Sequence, residues 1–127
     1  MYHGIIIDQE FENKSFPATF KVFAKKKSGD WEIYGIKIDD LEIEDIIKKI
    51  QDNMKSDGAW YAHLYNDKEL TVIFKDKVFR VTPHVSTWEK VINYGKNLGI
   101  PDEQLNFWPN RFQDETHYFK SENFVRK

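Results

Sequence analysis

The sequence predicts an α+β fold: a single domain on a mainly antiparallel sheet of about five to six strands, with two principal helices packed on one face and an irregular aromatic C-terminal strap. Two observations carry this. Short β-branched and aromatic segments recur between turn residues, and two longer stretches carry apolar residues at helical spacing. Their order reads ββα, one further strand, then ββα, and no linker or low-complexity stretch interrupts it, so one sheet carries all the strands.

Residues 2–7 are short and β-branched and predict a first strand. Over 16–24, Phe16, Ala18, Phe20, Val22 and Ala24 alternate with more polar neighbours, which predicts a half-buried strand. Residues 25–30, Lys-Lys-Lys-Ser-Gly-Asp, supply turn chemistry, and 31–38 resumes strand character with Tyr34, Ile36 and Ile38 on one side. Ile43, Ile46, Ile47, Ile50 and Met54 fall on one helical stripe. Acidic residues Asp39 and Asp40 precede that helix, and Asp57-Gly58 marks its exit.

The stretch 59–65 places Trp60, Ala62 and Leu64 on one side and Tyr61, His63 and Tyr65 on the other. A four-residue loop at 66–69 aligns the second set with Leu70, Val72 and Phe74; a three-residue loop aligns the first set instead. A tip at Asp76-Lys77 pairs Phe74 with Phe79 and Val72 with Val81, although Lys is a poor residue for a type I′ turn, and a longer loop shifts that register. The string Ser86-Thr87-Trp88-Glu89 matches a capping box, and Gly99-Ile100-Pro101 matches a Schellman exit. Between them Trp88, Val91, Ile92, Gly95 and Leu98 share a helix face. A short helix is expected over 101–105, then the strap over 107–112. The domain is expected to span 1–112, with 113–127 a C-terminal tail partly ordered or packed on it.

The 127 residues include 19 basic and 21 acidic side chains, a net charge of −2, which gives no broad field for phosphate backbones or anionic lipid. Nucleic acid is therefore disfavoured as a partner, even with the run Lys25-Lys26-Lys27. The longest apolar run is Ile5-Ile6-Ile7, far short of a membrane span of about 20 residues. With no cysteine, disulfides, thiolate metal sites and cysteine nucleophiles are excluded. A cytoplasmic location fits these features. No phosphate-binding glycine loop, no G-x-S-x-G elbow and no H-E-x-x-H helix is present, so no cofactor is expected.

Four Trp, six Tyr and ten Phe set the composition apart, and aromatic side chains supply both core and recognition surface. Tyr61, His63 and Tyr65 project from one side of a strand and are candidates to line a pocket. Trp108 and Arg111, in a proline-containing irregular segment, are candidate recognition anchors, since a guanidinium can stack on Trp108 or Phe112 and still grip a carboxylate. His84, Ser86 and Thr87 lie at a helix entry, where free amides can hold a small anion. Asp114 and His117 stand three apart, too thin a pattern to predict a metal site.

These features favour a non-catalytic module that binds a small ligand or a protein through the strap and the Tyr61/His63/Tyr65 face. The alternative is a small acid-base enzyme in which His63 or His84 pairs with Asp67 or Asp114 inside an aromatic cleft. Oligomeric state is not legible in the sequence.

Overall fold

Six strands make one antiparallel sheet in the computed structural model, which describes residues 1–57 and 59–125. The strands are β1 (Tyr2–Ile7), β2 (Lys21–Ser28), β3 (Trp31–Ile38), β4 (Tyr61–Tyr65), β5 (Leu70–Phe74) and β6 (Val78–Val81), in the spatial order β2-β3-β1-β4-β5-β6. Helix α1 spans Ile43–Asn53, α2 spans Glu89–Asn97, and a one-turn α3 spans Glu115–Tyr118. The first strand, β1, lies centrally between β3 and β4, as its buried Gly4-Ile5-Ile6 run requires.

Both faces of the sheet are buried, and this corrects the expectation that the two helices share one face. Alternation along β1 sends Ile6 to one side with Ile36, Leu64 and Ile73, where Ile46, Ile47 and Ile50 of α1 cover them. It sends Ile5 to the other side with Tyr65, Val72 and Phe74, beneath Trp88 and Val91 at and within α2. All five residues of β5 are buried, so a single covered face would leave half of that strand in water. Each ββα unit therefore places its helix against a different side.

Several local expectations also change. Residues Phe16–Thr19 form a 3-10 turn that packs Phe16 against Phe11 and Phe20 under α1; β2 begins only at Lys21. Lys25, Lys26 and Lys27 belong to β2, and the turn contracts to Gly29-Asp30. Strand pairing tolerates these lysines because β2 is an edge strand, where charge discourages further pairing. In the β5–β6 hairpin Val72 faces Phe79 and Leu70 faces Val81, two residues from the tight-turn register. The last ladder pair is Ile73 with Val78, and Phe74 N–H donates to Lys77 O at 2.8 Å, so the tip lies at Lys75-Asp76, one residue earlier than expected, and Lys77 is not at its centre. Helix α1 ends at Asn53, and Gly58 lies outside the described residues.

Ser86 does not cap α2. The helix starts after Trp88, behind a 3-10 turn at Val85–Thr87, and Thr87 Oγ1 closes that turn onto His84 O at 2.7 Å. The exit is the expected Schellman motif: Ile100 N–H donates to Gly95 O and Gly99 N–H to Lys96 O, with Gly99 at φ +92°. Gly95 has a packing role, because a Cβ there would stand 2.7 Å from Leu105 Cδ2. Leu105 and Phe107 then enter the core, which ties the strap to the sheet.

Residues 113–125 pack on the same side. Phe119 is buried in the α2-side core, Phe124 bridges to Ala24, and Val125 N–H donates to Phe23 O at 2.9 Å. No helix among the described residues is long and apolar enough to cross a membrane.

Candidate functional site

The four-residue loop at 66–69 aligns Tyr65 with Leu70, His63 with Val72 and Tyr61 with Phe74. Tyr61, His63 and Tyr65 thus face the strap. At the end of the sheet where β1 finishes and β3 and β4 begin, the strap stands away from the strands and leaves a cavity of about 280 Å³. Its floor is Ile5, Ile7, Ile33 and His63; Trp31, Tyr61, Trp108 and Tyr118 supply aromatic wall, and Gln104 and Asn106 lie on the strap side. Such a volume lies just below the usual range of about 300–1,000 Å³ for small-molecule sites.

One acidic residue lines this space. Glu10 closes the 3-10 turn that follows β1, its Oε1 accepting from Ile7 N–H at 2.9 Å, and only 1% of its surface is exposed. Among the described residues no Lys, Arg or His pairs with it. Removal from water pushes its carboxyl well above the ordinary range, Asp8 adds to the rise, and the amides of Ile7 and Tyr61 offset part of it. Burial likewise raises the phenols of Tyr61 and Tyr118, with Glu10 adding to both, and carries Tyr118 to about 12.

His63 is 3% exposed and its Nε2 lies 2.7 Å from Pro109 O. A carbonyl can only accept, so Nε2 carries the proton. Burial holds the ring down to about 4, against a smaller opposing contribution from the Pro109 bond. It is therefore neutral at pH 7, with Nδ1 as its acceptor. Tyr61 donates its hydroxyl to Gln104 O at 2.5 Å and so pins the turn that leads into the strap. Tyr65 lies outside the cavity and donates to Glu115 Oε2 at 2.5 Å; burial and that bond both raise its phenol.

The strap divides the two residues singled out in it. Trp108 lines the cavity with 41% of its surface exposed, as a wall open to solvent on one side. Arg111 does not line it. Its amide donates to Asp114 Oδ2 at 3.1 Å, and its guanidinium makes no ion pair or cation–π contact among the described residues. Asp114 is buried and also accepts from Asn110 N–H at 3.2 Å, while His117 is exposed. Among the described residues no cluster of three His, Asp or Glu converges to hold a metal ion.

His84, Ser86 and Thr87 lie at the entry to α2, far in sequence from the cavity residues, and the Thr87 hydroxyl is committed to Thr82 and His84. Neither Asp67 nor Asp114 bonds to His63 or His84. Asp67 Oδ1 instead accepts from Phe112 N–H at 2.8 Å, fastening the end of the strap. The His–carboxylate contact that does form is His3 Nδ1 with Glu115 Oε2, at 2.6 Å.

Sequence reasoning missed Glu10, Trp31, Gln104 and Tyr118. Trp31 stands two positions before Ile33 on the same strand side, a signal that alternation carried. Glu10 gave no such signal, because the run that holds it mixes buried Asp8 with exposed Glu12, Asn13 and Lys14 and shows no period that sets one carboxylate apart. Comparison with family models, curated proteins and solved structures finds no match to this chain.

Proposed function

We propose that this protein is a non-catalytic cytoplasmic module that binds a small organic molecule in the cavity between the sheet and the strap. The observation that carries the reading is the cavity itself: aromatic walls with a few polar groups at fixed positions, the usual make-up of a recognition site. Its groups are poised to bind more than to react. His63 is neutral with one nitrogen engaged, and no nucleophile stands beside it. The chain is held ahead of the strap, by Tyr61 on Gln104, and at the strap's end, by Asp67 on Phe112, so the walls are preorganised. The absence of cysteine and the balanced charge are compatible with a reducing cytoplasm.

The test is a fragment screen of small aromatic, aliphatic, neutral and charged compounds, followed by amide and indole shifts. Ligands should perturb Trp31, His63 and Trp108 together, and Ala59→Trp, which fills the cavity from its edge, should abolish those shifts. Hits that map elsewhere, or that survive the blockade, would overturn the reading.

Acid-base catalysis is favoured by one observation, the His3–Glu115 contact. His3 is packed between Phe23 and Phe112, with ring centroids at 4.5 and 4.6 Å, and does not line the cavity. That enclosure suits a structural tether better than a proton relay.

A further inference from the structure

Resting on the reading of the cavity as a ligand site, we propose that its ligand class is an organic cation, held by the Glu10 carboxylate and the faces of Trp31, Tyr61 and Trp108. The argument begins with what Glu10 lacks. A carboxyl group this deeply buried normally has a cationic partner or several donors, because an unpaired buried charge is costly. Here only backbone amides approach it, that of Ile7 at 2.9 Å, and no basic side chain of the described residues does so. Ionised, this carboxylate has no counter-charge within the protein, and a cation entering the cavity would supply one.

The walls point to the same chemistry. Indole and phenol faces attract cations through their quadrupole, most strongly where water is excluded, and trimethylammonium groups are the usual occupants of such aromatic boxes. The chain already shows the affinity at this edge: Lys26 Nζ stands 3.6 Å from the ring centroid of Tyr118. That face of Tyr118 is therefore taken, which leaves the other three rings for a ligand. A carboxylate or phosphate ligand would meet Glu10 and neutral His63, while Lys26, the ammonium at this edge, is already engaged by the ring of Tyr118 and by its carbonyl at 2.8 Å.

The groups facing Glu10 set its pH response. Asp8 lies on its own turn, Tyr61 and His63 come from β4, and Tyr118 from α3. None of these four is cationic at neutral pH, His63 included; the ammonium beyond them is Lys26 of β2, which sits on the ring of Tyr118 and makes no ion pair with Glu10. A permanently charged ligand must bind the ionised form of Glu10, so binding expels a proton wherever free Glu10 is protonated. Affinity then rises with pH until Glu10 ionises without help.

The experiment titrates the intact protein with tetramethylammonium, with choline, and with the carbon isostere of choline in which tert-butyl replaces trimethylammonium. Calorimetry in buffers of different ionisation enthalpy, from about pH 6 to about pH 9, reads proton release. Choline should bind about tenfold or more tighter than its isostere, release up to one proton, and weaken as pH falls. Glu10→Gln keeps an acceptor for Ile7 N–H and should lose that preference while retaining the isostere's weak binding. Equal affinity for choline and isostere, absence of proton release across that range, or failure of both cations to bind at millimolar concentration would each overturn the cation assignment. The cavity reading would still stand or fall on the neutral members of its own screen. The isostere and proton measurements use the unmodified chain, so they decide the matter even if the Glu10→Gln variant folds poorly.

Discussion

His3 and Glu115 stand 112 positions apart in sequence, and their side chains meet at 2.6 Å, fastening α3 to the central strand of the sheet. The same carboxylate oxygen accepts from Tyr65, so one buried group joins β1, β4 and the C-terminal segment. Enclosure by Phe23 and Phe112 keeps water from competing for these bonds.

Glu115→Ala should therefore destabilise the fold by about 2–4 kcal/mol, since it strands the Tyr65 hydroxyl in the core. Tyr65→Phe added to that variant should cost little more, because its hydroxyl has no partner left to lose. Denaturant unfolding of the two single variants and the double variant measures the coupling. Strict additivity would mean that Tyr65 and Glu115 do not act as a unit.

Ile47→Asp puts an unpaired carboxylate into the core between α1 and the sheet, and should unfold the protein or cost about 4 kcal/mol or more. A thermal melt checks it. Val91→Asp should do the same from the opposite side, because α2 covers a separate face. If one of the two variants melted like the parent, the two-sided burial of the sheet would be refuted.

Ser86→Ala should leave stability within about 0.5 kcal/mol of the parent, and Thr87→Ala should lower it by about 1 kcal/mol. The difference follows from which hydroxyl closes the turn before α2. Reversed effects in urea titrations would restore Ser86 as the cap.

Acid should weaken the fold through His63. Its folded value, about 4, lies below the ordinary 6.5, so the unfolded chain takes up the proton first as pH falls. This contribution is present above about pH 6.5 and is lost between there and about pH 4, on the order of 3 kcal/mol in all. Glu10 acts in the opposite sense: its raised value adds stability at low pH that is lost as pH rises from 4.5 through its folded value. Unfolding free energies across pH for the parent, His63→Gln and Glu10→Gln separate the two. The His63→Gln variant should lose the acid limb and the Glu10→Gln variant the alkaline one; an unchanged acid limb in His63→Gln would show that the ring is not buried neutral.

Local periodicity alone determined most of the elements. The isoleucine stripe of α1, the Gly99 exit of α2 and the two-sided pattern of residues 59–65 depend on neighbours within a turn or a strand, and such patterns are written along the chain. Trp108 stood out in the sequence as a large aromatic in a segment with no regular pairing, and the structure places it at the cavity with one side in solvent. What only the tertiary structure decided are relations across space: which face each helix covers, which loop length closes each hairpin, and that Glu10 shares a cavity with Trp31 and Trp108. Alternation says that a side chain points away from its neighbour, but not what lies on either side of the sheet. The raised carboxyl of Glu10 is likewise no property of a polar run after a strand; it arises because the fold takes that group out of water beside Asp8, with only the amides of Ile7 and Tyr61 to offset the loss.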